Sequence, residues 1–250
     1  MTDLVWLDDS TPLPSASQAP ADGLLAVGGS LSIARLTEAY SKGIFPWFNE
    51  GDPILWWSPD PRMVLHCNQL KISRSLAKKL RQIARVEGSA QASIKITSNT
   101  AFDAVIHACA APQDHRPATW ISPDIRQAYG DWHKVGQAHS VEVWMNDTLV
   151  GGLYGVCMGR FFFGESMFSL VSDASKLALA YLVPFLQSQG IQHLDCQQAT
   201  AHLASLGAAP ISRQEFLHLL QQALEYPTPR WGRGQLLQSG QFAPMPELAS

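Results

Sequence analysis

Three strand-like runs follow one another with almost no space between them, and this constrains the fold more than any other feature of the chain. Residues 140–144 alternate as a half-buried strand does, 150–157 form a second run and 160–169 a third, with Asn146-Asp147 as the turn between the first two. Strands joined this tightly form an antiparallel meander in one sheet. Around them the apolar spacing predicts helices over 73–86, 101–110, 123–134, 174–187 and 213–225, and strands over 93–97 and 191–197. Residues 71–228 therefore read as one α+β (α/β) domain built on a single sheet.

The segment before it has another character. Ser32 is placed to cap a short helix that Gly43 stops. Two aromatic clusters follow, Ile44-Phe-Pro-Trp-Phe and Ile54-Leu-Trp-Trp-Ser-Pro-Asp-Pro-Arg, too close together and too rich in proline for one regular element. Residues 1–70 are read as a small N-terminal domain, and 229–250, rich in Gly, Gln and Pro, as a C-terminal tail. No internal repeat is visible.

Composition excludes several classes. With 46% hydrophobic and 16% charged residues, the 250-residue chain can bury a core, so intrinsic disorder is excluded. No apolar run reaches the ~18 residues of a membrane span, and the acidic start (Asp3, Asp8, Asp9) is no signal peptide. Cys67, Cys109, Cys157 and Cys196 stand far apart, which favours a reducing cytoplasmic setting over disulfides or a metal site. The formal net charge is −3, yet from Pro61 to Val86 there is no acid and seven bases: Arg62, Lys71, Arg74, Lys78, Lys79, Arg81 and Arg85. Arg74, Lys78, Arg81 and Arg85 share one helical face opposite Ile72, Leu76, Leu80 and Ile83. A solvated helix face usually mixes signs; an all-basic face on an acidic protein suggests contact with a polyanion.

Two places could carry chemistry. Asp195 and Gln197 end a strand and, under strict alternation, face the same way about 7 Å apart. Glu165 follows three consecutive phenylalanines, so it needs a partner or a function. The bland readings remain open here: a capped strand end and a structural hydrogen bond. There is no GxxxxGK[ST] loop, GxSxG elbow or HExxH pair. Leu170-Val-Ser-Asp, between the third strand and its helix, lacks the glycine-rich turn that would cradle the pyrophosphate of CoA.

Taken together, the chain resembles the leucyl/phenylalanyl-tRNA–protein transferases. The shared words run in order: Gly23-Leu-Leu-Ala-Val-Gly-Gly, Gly43-Ile-Phe-Pro-Trp-Phe, Pro53-Ile-Leu-Trp-Trp-Ser-Pro-Asp-Pro-Arg, Ile72-Ser-Arg-Ser, Thr119-Trp-Ile, His139-Ser-Val-Glu-Val-Trp, Val150-Gly-Gly-Leu-Tyr-Gly-Val, Gly164-Glu-Ser-Met-Phe-Ser, Leu194-Asp-Cys-Gln and His202-Leu-Ala-Ser-Leu-Gly-Ala.

The resemblance implies a small N-terminal domain followed by one with the N-acetyltransferase (GNAT-like) fold. It implies transfer of Leu or Phe, less often Met, from aminoacyl-tRNA to proteins beginning with Lys or Arg, which creates an N-degron for proteolysis. It implies a cytoplasmic monomer with no cofactor, no metal and no membrane partner. By the same resemblance, Trp47 and Trp120 are expected to stack on the terminal adenosine of the tRNA. Leu153, Phe162, Met167, Leu179, Leu182, Leu186 and Leu194 are expected to hold the donor side chain, and Asp195, Gln197 and Glu165 to serve catalysis. Arg74, Lys78, Arg81 and Arg85 would meet phosphates. Phe162 and Met167 fall on opposite faces under strict alternation, so a β-bulge near Gly164 is expected. Thr200 stands where relatives often carry Asn. A CoA-dependent acetyltransferase and a non-catalytic tRNA-binding module are the rival readings.

Overall fold

The computed structural model describes residues 4–89, 92–112 and 119–244; the last six residues of the expected tail, 245–250, lie outside them. The N-terminal part comprises β1 (Val5–Leu7), β2 (Leu24–Gly28), α1 (Ile33–Ser41), β3 (Phe45–Pro46) and β4 (Leu55–Trp57). Its strands form a four-stranded sheet in the order β1-β2-β4-β3. Ser32 Oγ accepts the Arg35 N–H at 3.2 Å and so seeds α1. The helix stops at Gly43, whose φ of +73° suits glycine. A Cβ there would stand 2.7 Å from both Phe216 and Leu217, so glycine also lets a later helix pack close.

The rest of the chain runs β5 (Arg62–His66), α2 (Arg74–Ala84), β6 (Ile94–Ser98), α3 (Phe102–Ala110), α4 (Pro123–Lys134), β7 (Ala138–Met145), β8 (Thr148–Met158), β9 (Phe161–Ser169), α5 (Ala174–Ser188), β10 (His193–Gln197), α6 (Ala201–Ser205), β11 (Ala209–Ile211), α7 (Arg213–Leu224), β12 (Gly234–Leu236) and β13 (Phe242–Pro244). Among the described residues these strands form a nine-stranded sheet, β11-β5-β10-β9-β8-β7-β6-β12-β13. The expected meander is β7-β8-β9, antiparallel throughout. β10 then pairs parallel with β9 after the α5 crossover.

Alternation along these strands builds two cores. Phe161, Phe163, Tyr154 and Val156 pack with α1, α3, α4 and α7. Phe162, Leu153, Cys157 and Leu194 face the other way, toward α2 and α5. Two expectations about organisation need adjusting. Strand β5, which lies before the expected boundary at residue 70, belongs to the large sheet, where it pairs with both β10 and β11. The expected tail is also structural, because β12 adds to the sheet edge beside β6. No helix among the described residues is long and apolar enough to cross a membrane.

Candidate active site

The site forms where β9 and β10 run side by side and both break alternation. On β9, Tyr154 pairs with Ser166 but the next residue, Gly155, pairs with Gly164, leaving Glu165 as the extra residue of a β-bulge. The bulge expected near Gly164 is therefore present. It aims Glu165 at the α1/α4 side and puts Phe162 and Met167 together on the α5 side.

Among the described residues Glu165 meets only neutral donors. Tyr40 Oη donates to its Oε1 at 2.7 Å, Tyr129 Oη to its Oε2 at 3.3 Å, and Gln197 Nε2 to its Oε1 at 3.2 Å. The two tyrosine hydroxyls are 2.5 Å apart. Burial is the main cause that pushes the Glu165 carboxyl up to about 7, with the nearby Asp195 charge acting the same way and the hydrogen bonds from Tyr40 and Gln197 opposing it. Burial, and then the Glu165 charge, hold both tyrosines well above the usual phenol range.

Asp195 is held differently. It is fully buried and forms a two-pronged ion pair with Arg62, from Nε to Oδ1 at 2.9 Å and from Nη2 to Oδ2 at 2.6 Å. Arg62 also donates to the Gly43 carbonyl at 3.2 Å, and its guanidinium lies 4.7 Å from the Phe45 ring centre and 4.3 Å from that of Phe216. Strict alternation fails here: the β10–β5 register shifts between Asp195 and Gln197, and Gln197 adopts a φ of +60°. Rather than facing the Gln197 side chain, Asp195 Oδ1 accepts the Gln197 backbone N–H at 2.8 Å. This fixes the unusual backbone conformation and turns the amide toward Glu165. Among the described residues no protein donor reaches the Gln197 side-chain oxygen.

On the α5 side of the bulge lies an apolar cavity of about 230 Å³. Leu153, Phe162 and Met167 line it from β8 and β9, Leu179 and Leu182 from α5, and Leu194 from β10. Glu165, Cys196, Thr200 and His202 also contribute to its wall. A dry cavity of about 150 Å³ holds a benzene ring, so the space suits an apolar side chain of leucine or phenylalanine size. Leu186 is the exception among the seven expected residues: one turn beyond Leu182, it is fully buried in the core and does not line the cavity. Thr200 caps α6 by accepting the Leu203 N–H at 3.2 Å.

Neither tryptophan lines the cavity. Trp47 is 39% exposed in the loop after β3 and packs edge-on against Trp57 at 5.7 Å. Trp120 is half-buried just before α4. On α2, Arg74, Lys78, Arg81 and Arg85 are all exposed, and none is in an ion pair among the described residues. Arg62, counted by sequence with that basic run, is instead 1% exposed and committed to Asp195. Together with Tyr40 and Tyr129 it is the part of the cluster that sequence reasoning missed. The signal available for Arg62 was its place at the head of a strand that continues with the apolar run Met63-Val-Leu. Among the described residues no three of His, Cys, Asp and Glu gather in a way that could hold a metal ion.

Comparison with known proteins gives a consistent result. Residues 64–221 match the family model described as leucyl/phenylalanyl-tRNA protein transferase, and residues 29–60 match the model of that family's N-terminal domain. The leucyl/phenylalanyl-tRNA–protein transferase of Bordetella petrii is 54% identical over 97% of this chain and 97% of its own. That of Bordetella avium is 52% identical over 94% and 95%. Among solved structures, a GCN5-related N-acetyltransferase from Kribbella flavida is similar at a TM-score of 0.37 and 12% identity over 70% of this chain and 60% of that one. A likeness of that depth carries no functional weight.

Proposed function

Because the chain belongs to the leucyl/phenylalanyl-tRNA–protein transferase family and is therefore an aminoacyltransferase, we propose that the apolar cavity receives the Leu or Phe side chain, and less readily that of Met, while the ester linking it to tRNA lies beside Gln197. The acceptor is the N-terminal α-amine of a protein beginning with Lys or Arg, and the product carries an N-degron in the cytoplasm. The observation that supports this reading is the hydrogen bond from Gln197 Nε2 to Glu165 in the cavity wall, which leaves the Gln197 oxygen free to accept a hydrogen bond from the incoming amine.

An α-amine with a pKa of about 7.7–8.0 is partly neutral at cellular pH, so it needs positioning more than a strong base. Its nitrogen attacks the ester carbonyl. A carbon–nitrogen bond forms, the carbon–oxygen bond to the ribose breaks, and the proton lost by nitrogen ends on the departing ribose oxygen. Gln197 orients the amine, Glu165 orients the Gln197 side chain, and the Arg62–Asp195 pair orients its backbone. Trp47 and Trp120 stack on the terminal adenosine, and the basic face of α2 meets tRNA phosphates.

The test is transfer of labelled leucine from Leu-tRNA to a peptide beginning with Lys or Arg. Positioning of this kind accounts for several kcal/mol, so Gln197→Ala is expected to lower kcat about a hundredfold and leave aminoacyl-tRNA binding nearly unchanged. A folded variant with full turnover would remove Gln197 from the mechanism. A chain that binds Leu-tRNA but transfers nothing would instead be a binding module.

A further inference from the structure

We infer that Trp231 sets the depth of the donor cavity from behind, and with it the preference among donor side chains. The inference rests on reading the cavity as the donor pocket. Phe162 and Tyr154 are the aromatic rings of the cavity wall, and the Phe162 ring, on the α5 side, rests between two neighbours. On one side is the β8 backbone at Gly155, where a Cβ would come within 2.5 Å of the ring. The other is Trp231, whose ring stacks on Phe162 at 5.6 Å with planes 17° apart. Gly155 is part of the central sheet and cannot yield. Trp231, which precedes β12, lies outside the sheet, so its size can be changed without breaking the sheet.

Trp231 is itself held in place. Its ring also stacks on the buried His139 at 4.2 Å and 13°, and Phe185 of α5 meets it edge-on at 4.8 Å. His139 stays neutral at cellular pH, since burial takes its imidazole down to about 3. Among the described residues no nitrogen or oxygen accepts from the buried indole N–H; the Cys157 side chain on β8 is its polar neighbour, so packing together with that sulfur contact holds the ring. The segment that follows is tied down at three points: β12 pairs with β6, Leu236 is fully buried, and Ser188 Oγ donates to the Gly240 carbonyl at 3.1 Å.

The segment also lies beyond residue 221, where the match to the family model ends. The back of the cavity is thus contributed by a part of the chain beyond the stretch that the family model matches, and donor preference can change there without disturbing Glu165, Gln197 or Asp195. Truncating Trp231 leaves a void that its surroundings fill only in part. Phe162 can then swing back, deepening the cavity toward larger donors.

The experiment compares kcat/KM for Phe-tRNA and Leu-tRNA in the full chain and three variants. Differences of about a methylene in an apolar pocket change selectivity roughly tenfold or more. Trp231→Ala is expected to raise the Phe-to-Leu ratio about tenfold, and Trp231→Phe to raise it less. Leu153→Phe, which fills the cavity from within, is expected to lower it. A thermal melt identifies the folded variants, and Trp231→Phe, which keeps an aromatic ring in the stack, carries the test if Trp231→Ala fails to fold. An unchanged ratio in a folded Trp231 variant, alongside a lowered ratio in Leu153→Phe, would overturn the role of Trp231 and leave the donor pocket standing. An unchanged ratio in Leu153→Phe as well would overturn the pocket reading, and the inference with it.

Discussion

Two carboxylates sit a few residues from the same strand junction, and the protein treats them in opposite ways. Asp195 is enclosed between β5 and β10 with a guanidinium on both of its oxygens. Glu165, on the β9 bulge, is met by two phenols and an amide and, among the described residues, by no cation. A buried charge is costly unless it is paired and hydrogen-bonded. At Asp195 the charge is fully compensated, so that corner works as a fixed anchor for the Gln197 backbone. At Glu165 compensation is partial, which brings its titration close to cellular pH. The surface of α2 presents the third arrangement, cations with no anion, which suits it to a ligand that supplies the negative charge.

The largest effect is expected from turning the first corner into something less balanced than the second. Arg62→Ala leaves Asp195 buried with only the Gln197 N–H for company, and breaking a buried pair by removing one partner costs about 3–5 kcal/mol. Denaturant unfolding of Arg62→Ala measures that loss. Replacing both partners by apolar residues, Arg62→Met with Asp195→Leu, is expected to restore most of the stability but not the transfer activity, because nothing then holds Gln197 at its positive φ. If Arg62→Ala unfolds at the same denaturant concentration as the parent, the anchor reading fails.

This contrast also marks how far the residues alone could lead. The meander and the flanking helices were legible, because they follow from alternation and turn residues, and the bulge was legible once the family resemblance put Phe162 and Met167 in one pocket. Most of the cavity wall was legible through the family resemblance. Leu186 was not separable from Leu182, since both lie on the apolar side of α5 and only depth along the helix distinguishes a wall residue from a core one. Charge counting groups Arg62 with the basic run because it ignores what a strand faces; its partner is 133 positions away. Tyr40 and Tyr129 come from two helices that meet only in the folded chain, and a sequence offers no sign of such a meeting. The tail was set aside on composition, although β12 extends a sheet already formed by residues far upstream.

The basic surface gives the second prediction. Each phosphate contact contributes about 0.7–0.9 to the slope of log affinity against log salt. Replacing Arg74, Lys78, Arg81 and Arg85 with Gln is therefore expected to flatten the slope for full-length Leu-tRNA by about 3, and to weaken binding roughly a hundredfold at low salt. These side chains are exposed and lie opposite the apolar stripe, so the fold should be intact. An aminoacylated terminal adenosine does not extend to phosphates of the acceptor stem, and its transfer rate should be unchanged. Equal losses on both donors would mean that the substitutions reached the active site, and an unchanged salt slope would make the helix an ordinary solvated surface.

The smallest effect, and the one that separates the two carboxylates most directly, is in pH. The Glu165 carboxyl is raised from its ordinary value of 4.5 to about 7 in the folded protein. Between those values the folded state holds a proton that the unfolded chain has released, so stability is expected to fall as pH rises from about 4.5 to about 7. Glu165→Gln removes the titrating group, and that slope should flatten in the variant. Turnover should move the other way. As a carboxylate Glu165 is acceptor-only and holds the Gln197 N–H firmly, whereas the protonated group accepts more weakly and can donate to the Gln197 oxygen that the amine needs. Transfer should therefore drop severalfold on going from pH 7 to pH 6, beyond the loss due to protonation of the acceptor amine. The amine's share can be measured from a peptide series of differing α-amine pKa, since it moves with the peptide while the Glu165 limb does not. A pH profile that follows the peptide amine alone, with Glu165→Gln superimposable on the parent, would show that Glu165 does not titrate in this range, and the difference between the two corners would then be one of geometry only.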